Sequence, residues 1–240
     1  MTLSIALFET GISVRQNVRV SFDQRKVLRD SLSVAIPVGS YGVAFGAAAV
    51  SSGFTVLQSC LLSLLLFSGA SQFAVVGVMG AGGGVISAVA TASLLGLRNM
   101  FYGFRNSPIL EVRGIKKVAT AQITIDESTG VSLLQESRGK GAMRYGFFAT
   151  GIAVFIFWNL FTLLGALGAQ SIGNPASFGL DAAVPAAFLG LVWPRLTNRR
   201  LKIAALLSIL LALVLTPILT PGLPIIVTVI IAILMGWSER

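Results

Sequence analysis

Long apolar runs separated by short polar and basic connections divide the chain into about seven hydrophobic elements, each of them a candidate membrane helix. The first, 31–50, follows Asp30, an acid favoured at a helix N-terminus. It carries Pro37 and, at i, i+3 and i+7, Gly39, Gly42 and Gly46, a bare stripe on which a neighbouring helix can approach closely. Tyr41 lies one turn after Pro37, near the carbonyls that a proline leaves without an N–H partner. The stretch 53–97 is apolar and nearly uncharged, yet it is broken twice. One break is Ser68-Gly69-Ala70-Ser71-Gln72, the other the glycine run at 80–84. Residues 98–144 are polar, with eight Lys/Arg against four acids. A clear span follows at 146–169, containing Trp158 and Asn159, and then a shorter one at 178–193, containing Asp181 and Pro185. Arg195, Arg199, Arg200 and Lys202 form a basic turn. The runs 203–215 and 225–237 close the chain, separated by a break that holds Thr216, Pro217 and Thr220.

Small and polar residues inside hydrocarbon are costly unless they face protein, water or a ligand. A transporter uses such a break because an unwound turn frees backbone N–H and C=O groups to hold a polar solute. The competing explanation is close helix packing. Ser68, Ser71 and Gln72 fall at i, i+3 and i+4, so a helical turn would put them on one face as ligands for an ammonium or a carboxylate.

Composition fixes the environment. Of 240 residues, 55% are hydrophobic and 11% charged, against roughly 25% charged in a soluble domain. The net charge of +9 is therefore read through the positive-inside rule and not as a nucleic-acid footprint. Basic segments 1–29, 98–144 and 195–202 belong on the cytoplasmic face, whereas the connections near 170–177 and 217–222 are uncharged. The chain then reads as a basic N-terminal segment, 1–29, and one transmembrane domain, 30–240. Under that constraint 53–97 must cross a net odd number of times. Either part of it is re-entrant or 115–137 crosses as well, and the scarcity of apolar residues in 115–137 favours the re-entrant reading. Histidine is absent and the lone cysteine, Cys60, sits in an apolar run. Ser–His and Cys–His dyads, histidine proton relays, HExxH zinc sites, Cys-based metal sites and disulfides are thereby excluded, and the chain reads as a protein that is not an enzyme and needs no cofactor.

A shift of 148 positions lays residues 32–42 on 180–190, with Leu, Ala, Pro37/Pro185 and Gly coinciding at four of eleven positions. The same shift lays 68–72 on 216–220, which is the other polar break. The charge pattern starts the two copies on opposite sides, so the halves, 30–97 and 178–238, would form an inverted repeat with a transport site between the breaks.

These motifs carry a family resemblance. The run from Pro37 to Gly46, Ser68 to Phe73, Leu97-Arg98 through Tyr102, Ile125 to Ser128 and Phe178 to Pro185 resemble the AzlC family, in order and over about residues 25–237. The resemblance implies the large subunit of a bacterial branched-chain amino acid exporter. Such a permease sits in the cytoplasmic (inner) membrane, works with a small AzlD-type membrane subunit, and moves valine, isoleucine, leucine or methionine. Members often carry Arg-His where this chain has Arg98-Asn99, so a histidine-linked proton step is not implied here. The expected substrate-binding residues are Tyr41, Ser68, Ser71, Gln72, Asn99, Thr216 and Thr220. The expected helix breaks are Pro37, Gly69, Pro185 and Pro217. Arg98, Asp126, Glu127 and Asp181 are expected in coupling or gating, each with a plainer alternative. Arg98 would serve as a positive-inside anchor, Asp126-Glu127 as a solvated pair, and Asp181 as an acid at a helix N-terminus. No nucleotide-binding motif is present, so an ion gradient or the substrate's own gradient would drive transport. A transporter of another small solute and a non-transporting membrane assembly subunit are the rival readings.

Overall fold

A computed structural model describes residues 22–172 and 182–237, and every regular element among them is helical. Asp23 caps α1 (Gln24–Ser40) by accepting from the Arg25 and Lys26 N–H groups, so the first helix begins seven residues before the apolar run does. Pro37 lies inside α1, and the Ser40 hydroxyl donates to its carbonyl at 2.6 Å. The chain turns at Tyr41 and continues as α2 (Gly42–Ser51). Next come α3 (Val56–Leu65), α4 (Gly69–Gly80) and α5 (Val85–Leu110). Helix α5 runs thirteen residues past Leu97 and stops where Glu111 takes a left-handed conformation (φ 52°). After α6 (Lys116–Gln122) and α7 (Asp126–Leu134) comes the longest helix, α8 (Lys140–Ile172). The described chain ends with α9 (Ala183–Val192), a 3₁₀ turn (Trp193–Arg195), α10 (Arg199–Leu215) and α11 (Leu223–Trp237). Among the described residues, three helices are long and apolar enough to cross a membrane: Gln24–Ser51 taken through its kink, Val85–Leu110 and Lys140–Ile172.

Helix α8 is the post around which the rest is built, packing on α1, α2, α3 and α7. The glycine stripe faces it. A Cβ on Gly39 would collide with Phe157, one on Gly42 with the Trp158 carbonyl, and one on Gly46 with the Thr162 carbonyl. These positions climb the kinked α1–α2 helix and α8 together, so the two run parallel, in backbone contact that larger residues would forbid.

The ends of the helices sort into two groups. Arg138 pairs with Asp30 at 3.3 Å, Lys140 pairs with Glu111 at 3.5 Å, and the Phe22 ring packs tilted against Tyr145. Those contacts gather the starts of α1 and α8 and the ends of α5 and α7 at one basic end. At the opposite end Gly80 abuts Ser52, and the Ser87 hydroxyl donates to the Pro221 carbonyl at 2.8 Å. Residues 53–80 therefore leave the far end and return to it, as the re-entrant reading expects. Residues 111–138 do the same from the basic end and do not cross. The two hairpin tips meet halfway along α8. Phe67 packs on Phe155 with centroids 4.9 Å apart, Ile123 lies against Gly151, and Gln122 Nε2 donates to the Leu64 carbonyl at 2.8 Å.

Candidate functional site

A cavity of about 340 Å³ opens where the two hairpin tips face each other. Its walls are largely apolar: Val38 and Ala44 from α1–α2, Phe67 and Phe73 around the first tip, Ile125 at the second, Val154 and Trp158 from α8, and Ala186 from α9. Its polar lining is Tyr41, Ser68, Arg98, Asp126, Glu127 and Arg195, together with the backbone of Gly69 and Ala70.

All but one of the polar groups are placed by a helix end, Arg98 lying in the middle of α5. The break after Leu65 starts α4 at Ser68, whose side chain makes no capping bond and donates instead to the Ser71 hydroxyl at 3.1 Å. No acid stands in the first turn of α4, so its free N–H groups and positive dipole end face the cavity uncompensated. Helix α7 differs, because Asp126 and Glu127 occupy its first turn and complement its dipole. Asp126 Oδ2 accepts from Arg98 Nη1 at 3.0 Å and from Arg195 Nη2 at 2.7 Å. One carboxylate oxygen thus ties α5, α7 and the turn after α9 together. The Nε–H of Arg98 is buried and has no acceptor. Glu127 belongs to a helix outside the long spans, and burial, reinforced by Asp126, pushes its carboxyl above the ordinary value of 4.5. Its backbone N–H and the two guanidiniums pull the other way without reversing the shift.

Of the residues expected at the site, Tyr41, Ser68, Arg98, Asp126 and Glu127 come together here, with the break residue Gly69 beside them. Ser71 and Gln72 do not line the cavity. Both have no exposed surface. Ser71 donates to the Ala92 carbonyl at 2.9 Å. Gln72 Nε2 donates to the Leu66 carbonyl at 2.6 Å, while its Oε1 accepts from Trp158 Nε1 at 2.9 Å. Gln72 thereby caps the frayed end of α3 and fixes the tryptophan that forms the cavity wall. Asn99 lies outside the lining, and its Oδ1 is buried without a partner. Thr216 is exposed and bonded to the Ala212 carbonyl, and Thr220 is exposed too. Their break packs on the start of α5, through Gly222 and Thr91. Pro37 and Pro185 lie within α1 and α9, and Pro217 lies between α10 and α11. Asp181 lies outside the described residues. Arg195 and Trp158 were not expected at the site. In the sequence Arg195 reads as one of a group of topogenic cations, and the only hint at its role is its position directly after the short 178–193 span.

A family profile described as AzlC protein matches residues 33–172, more than half of the chain and every element from the kinked first helix to the end of α8. The chain belongs to the AzlC family. Over 97 residues it is 30% identical to the inner membrane protein YgaZ of Escherichia coli (strain K12), a match covering 40% of this chain and 38% of that relative. No solved structure matches. Membership in AzlC, the inner-membrane relative and three helices long and apolar enough to cross make this a membrane protein. AzlC motifs that looked separate in the sequence, around Tyr41, Ser68, Arg98 and Asp126, are the walls of one cavity.

Proposed function

We propose that the chain is the large subunit of an exporter that moves branched-chain amino acids, and by the same chemistry methionine, out across the bacterial cytoplasmic membrane together with a small AzlD-type subunit. The observation that carries this reading is the division of the cavity. Its polar groups are Ser68, Asp126 and Glu127 at the tips of two opposed hairpins with Tyr41, Arg98 and Arg195 around them, and the rest of its wall is aliphatic and aromatic. A zwitterion needs an anion site and a cation site within a few ångströms of each other, and here they are the open N-terminus of α4 with Arg98 and the carboxylate of Asp126. An aliphatic side chain gains from Val38, Phe73, Val154 and Trp158 through apolar burial. The volume falls at the small end of the roughly 300–1,000 Å³ typical of small-molecule sites. Broken helices that meet near mid-membrane are the usual form of a secondary transport site. The inverted halves, 30–97 and 178–238, remain part of the proposal, as does the cytoplasmic placing of the basic end.

The test is efflux. Cells expressing the chain with its partner, loaded with a valine- or methionine-containing dipeptide, should release the free amino acid faster than cells lacking either subunit. Collapse of the membrane potential or pH gradient should slow that release. Equal efflux with and without the protein, across the aliphatic amino acids, would sink the assignment.

A further inference from the structure

Asp126 holds two cations on one oxygen, and the two are not equivalent. Arg98 belongs to the 26-residue α5 and its side chain is 31% exposed. Arg195 belongs to a three-residue 3₁₀ turn and its side chain is 59% exposed. Both guanidiniums reach the same cavity, yet only Arg98 also carries a buried N–H without an acceptor, and the open N-terminus of α4 lines that cavity too. Those donors call for an acceptor. Asp126 Oδ2, in contrast, already accepts from both guanidiniums.

We propose that Arg195 is a tethered stand-in for the substrate's ammonium group: it neutralises Asp126 in the empty cavity and is displaced when a primary ammonium arrives. The inference rests on reading the cavity as an α-amino acid site and assigns the two ends of that substrate. The carboxylate goes to Arg98 Nε and the first turn of α4, the ammonium to Asp126. Displacement conserves charge, because one cation replaces another on the same carboxylate. It also releases the turn that joins α9 to α10, so that occupancy of the cavity is transmitted to the last three helices. The ammonium site is open only in the fraction of molecules in which Arg195 has left, and the apparent affinity is lowered by that fraction. Removing the tether should therefore tighten binding of an ammonium by about two- to fivefold, the value of a partly exposed ion pair.

The first measurement uses the purified full-length wild-type protein, with phenylglyoxal modification of individual arginines read by mass spectrometry. Valine and isobutylamine, which carry the ammonium, should speed modification of Arg195. Isovalerate, which carries only the carboxylate, should leave it unchanged and slow that of Arg98. Protection of Arg195 by isobutylamine would overturn the proposal. The second measurement is equilibrium binding. R195Q should bind valine and isobutylamine more tightly than wild type, whereas D126N should lose isobutylamine and keep isovalerate. Weakening of valine binding by R195Q to the extent seen in R98Q would make Arg195 a carboxylate ligand and refute displacement. If isobutylamine speeds Arg195 modification while valine neither binds nor is exported, the latch stands and the amino acid reading falls.

Discussion

Replacing Gln72 by Leu separates a wall-building role from a ligand role. In the folded protein Gln72 has no exposed surface and is held by three contacts: to the Leu66 carbonyl at 2.6 Å, to the Ser63 carbonyl at 3.3 Å and from the Trp158 indole at 2.9 Å. Leucine fills similar space but leaves the Trp158 N–H unsatisfied, whereas the Leu66 carbonyl keeps the Ser68 N–H at 2.8 Å. An orphaned buried polar group costs about 1–3 kcal/mol in a protein interior, whereas side-chain hydrogen bonds inside membrane proteins average nearer 0.6 kcal/mol. With that one donor orphaned, Gln72→Leu should lower the unfolding free energy by about 0.6–3 kcal/mol. The assay is reversible unfolding in mixed micelles titrated with SDS, run as a cycle with Trp158→Phe, which keeps an aromatic ring and removes the N–H. Because the phenylalanine variant no longer has a donor to orphan, the two changes should combine less than additively, with a coupling of at least about 0.5 kcal/mol. Transport should fall in both single variants, since the indole is a wall of the cavity. Wild-type stability in Gln72→Leu, or strict additivity in the cycle, would refute the reasoning.

The remaining predictions concern topology, packing and titration. In a Cys60→Ser background, Ser52→Cys and Ala81→Cys should both react with an impermeant maleimide from outside the cell, and Lys117→Cys and Lys140→Cys only from within. Opposite labelling of the first two would mean that 53–80 crosses the membrane. Gly46→Ala places a Cβ against the Thr162 carbonyl and 2.7 Å from the Ala166 nitrogen, so it should sharply reduce the folded yield. Gly168→Ala, with open space around it, should not, as fluorescence-detected size exclusion would report. Because burial raises the Glu127 carboxyl above 4.5, its stability contribution is complete below that pH and is lost as pH rises through the elevated value. Thermal unfolding midpoints of Glu127→Gln should accordingly be flatter across that window than those of wild type and should exceed them at the alkaline end.

The sequence by itself determined what depends on local pattern. The low charge content and long apolar runs define a helical membrane protein, because no other backbone arrangement without a closed barrel satisfies its hydrogen bonds in lipid. The stripe at Gly39, Gly42 and Gly46 announced a close helix contact, and the breaks at 68–72 and 216–220 announced interrupted helices, although the unwound residues of the first are 66–68 and 69–72 already belong to α4. Counting charges on the loops narrowed 53–97 to a re-entrant part or a crossing by 115–137, and the tertiary structure assigned the re-entrant part to 53–80. Partnership across the fold was decided only by the tertiary structure. Arg98, Asp126 and Arg195 lie 28 and 69 residues from one another along the chain and meet on a single oxygen atom. Each alone is a plausible surface charge, and nothing in local spacing distinguishes the one that enters a cavity. Likewise Ser68, Ser71 and Gln72 share a helical face by spacing, but a helix N-terminus has an inside and an outside. Whether Gln72 meets substrate or the Trp158 indole depends on where α8 passes, and α8 is placed by glycines in a different part of the chain.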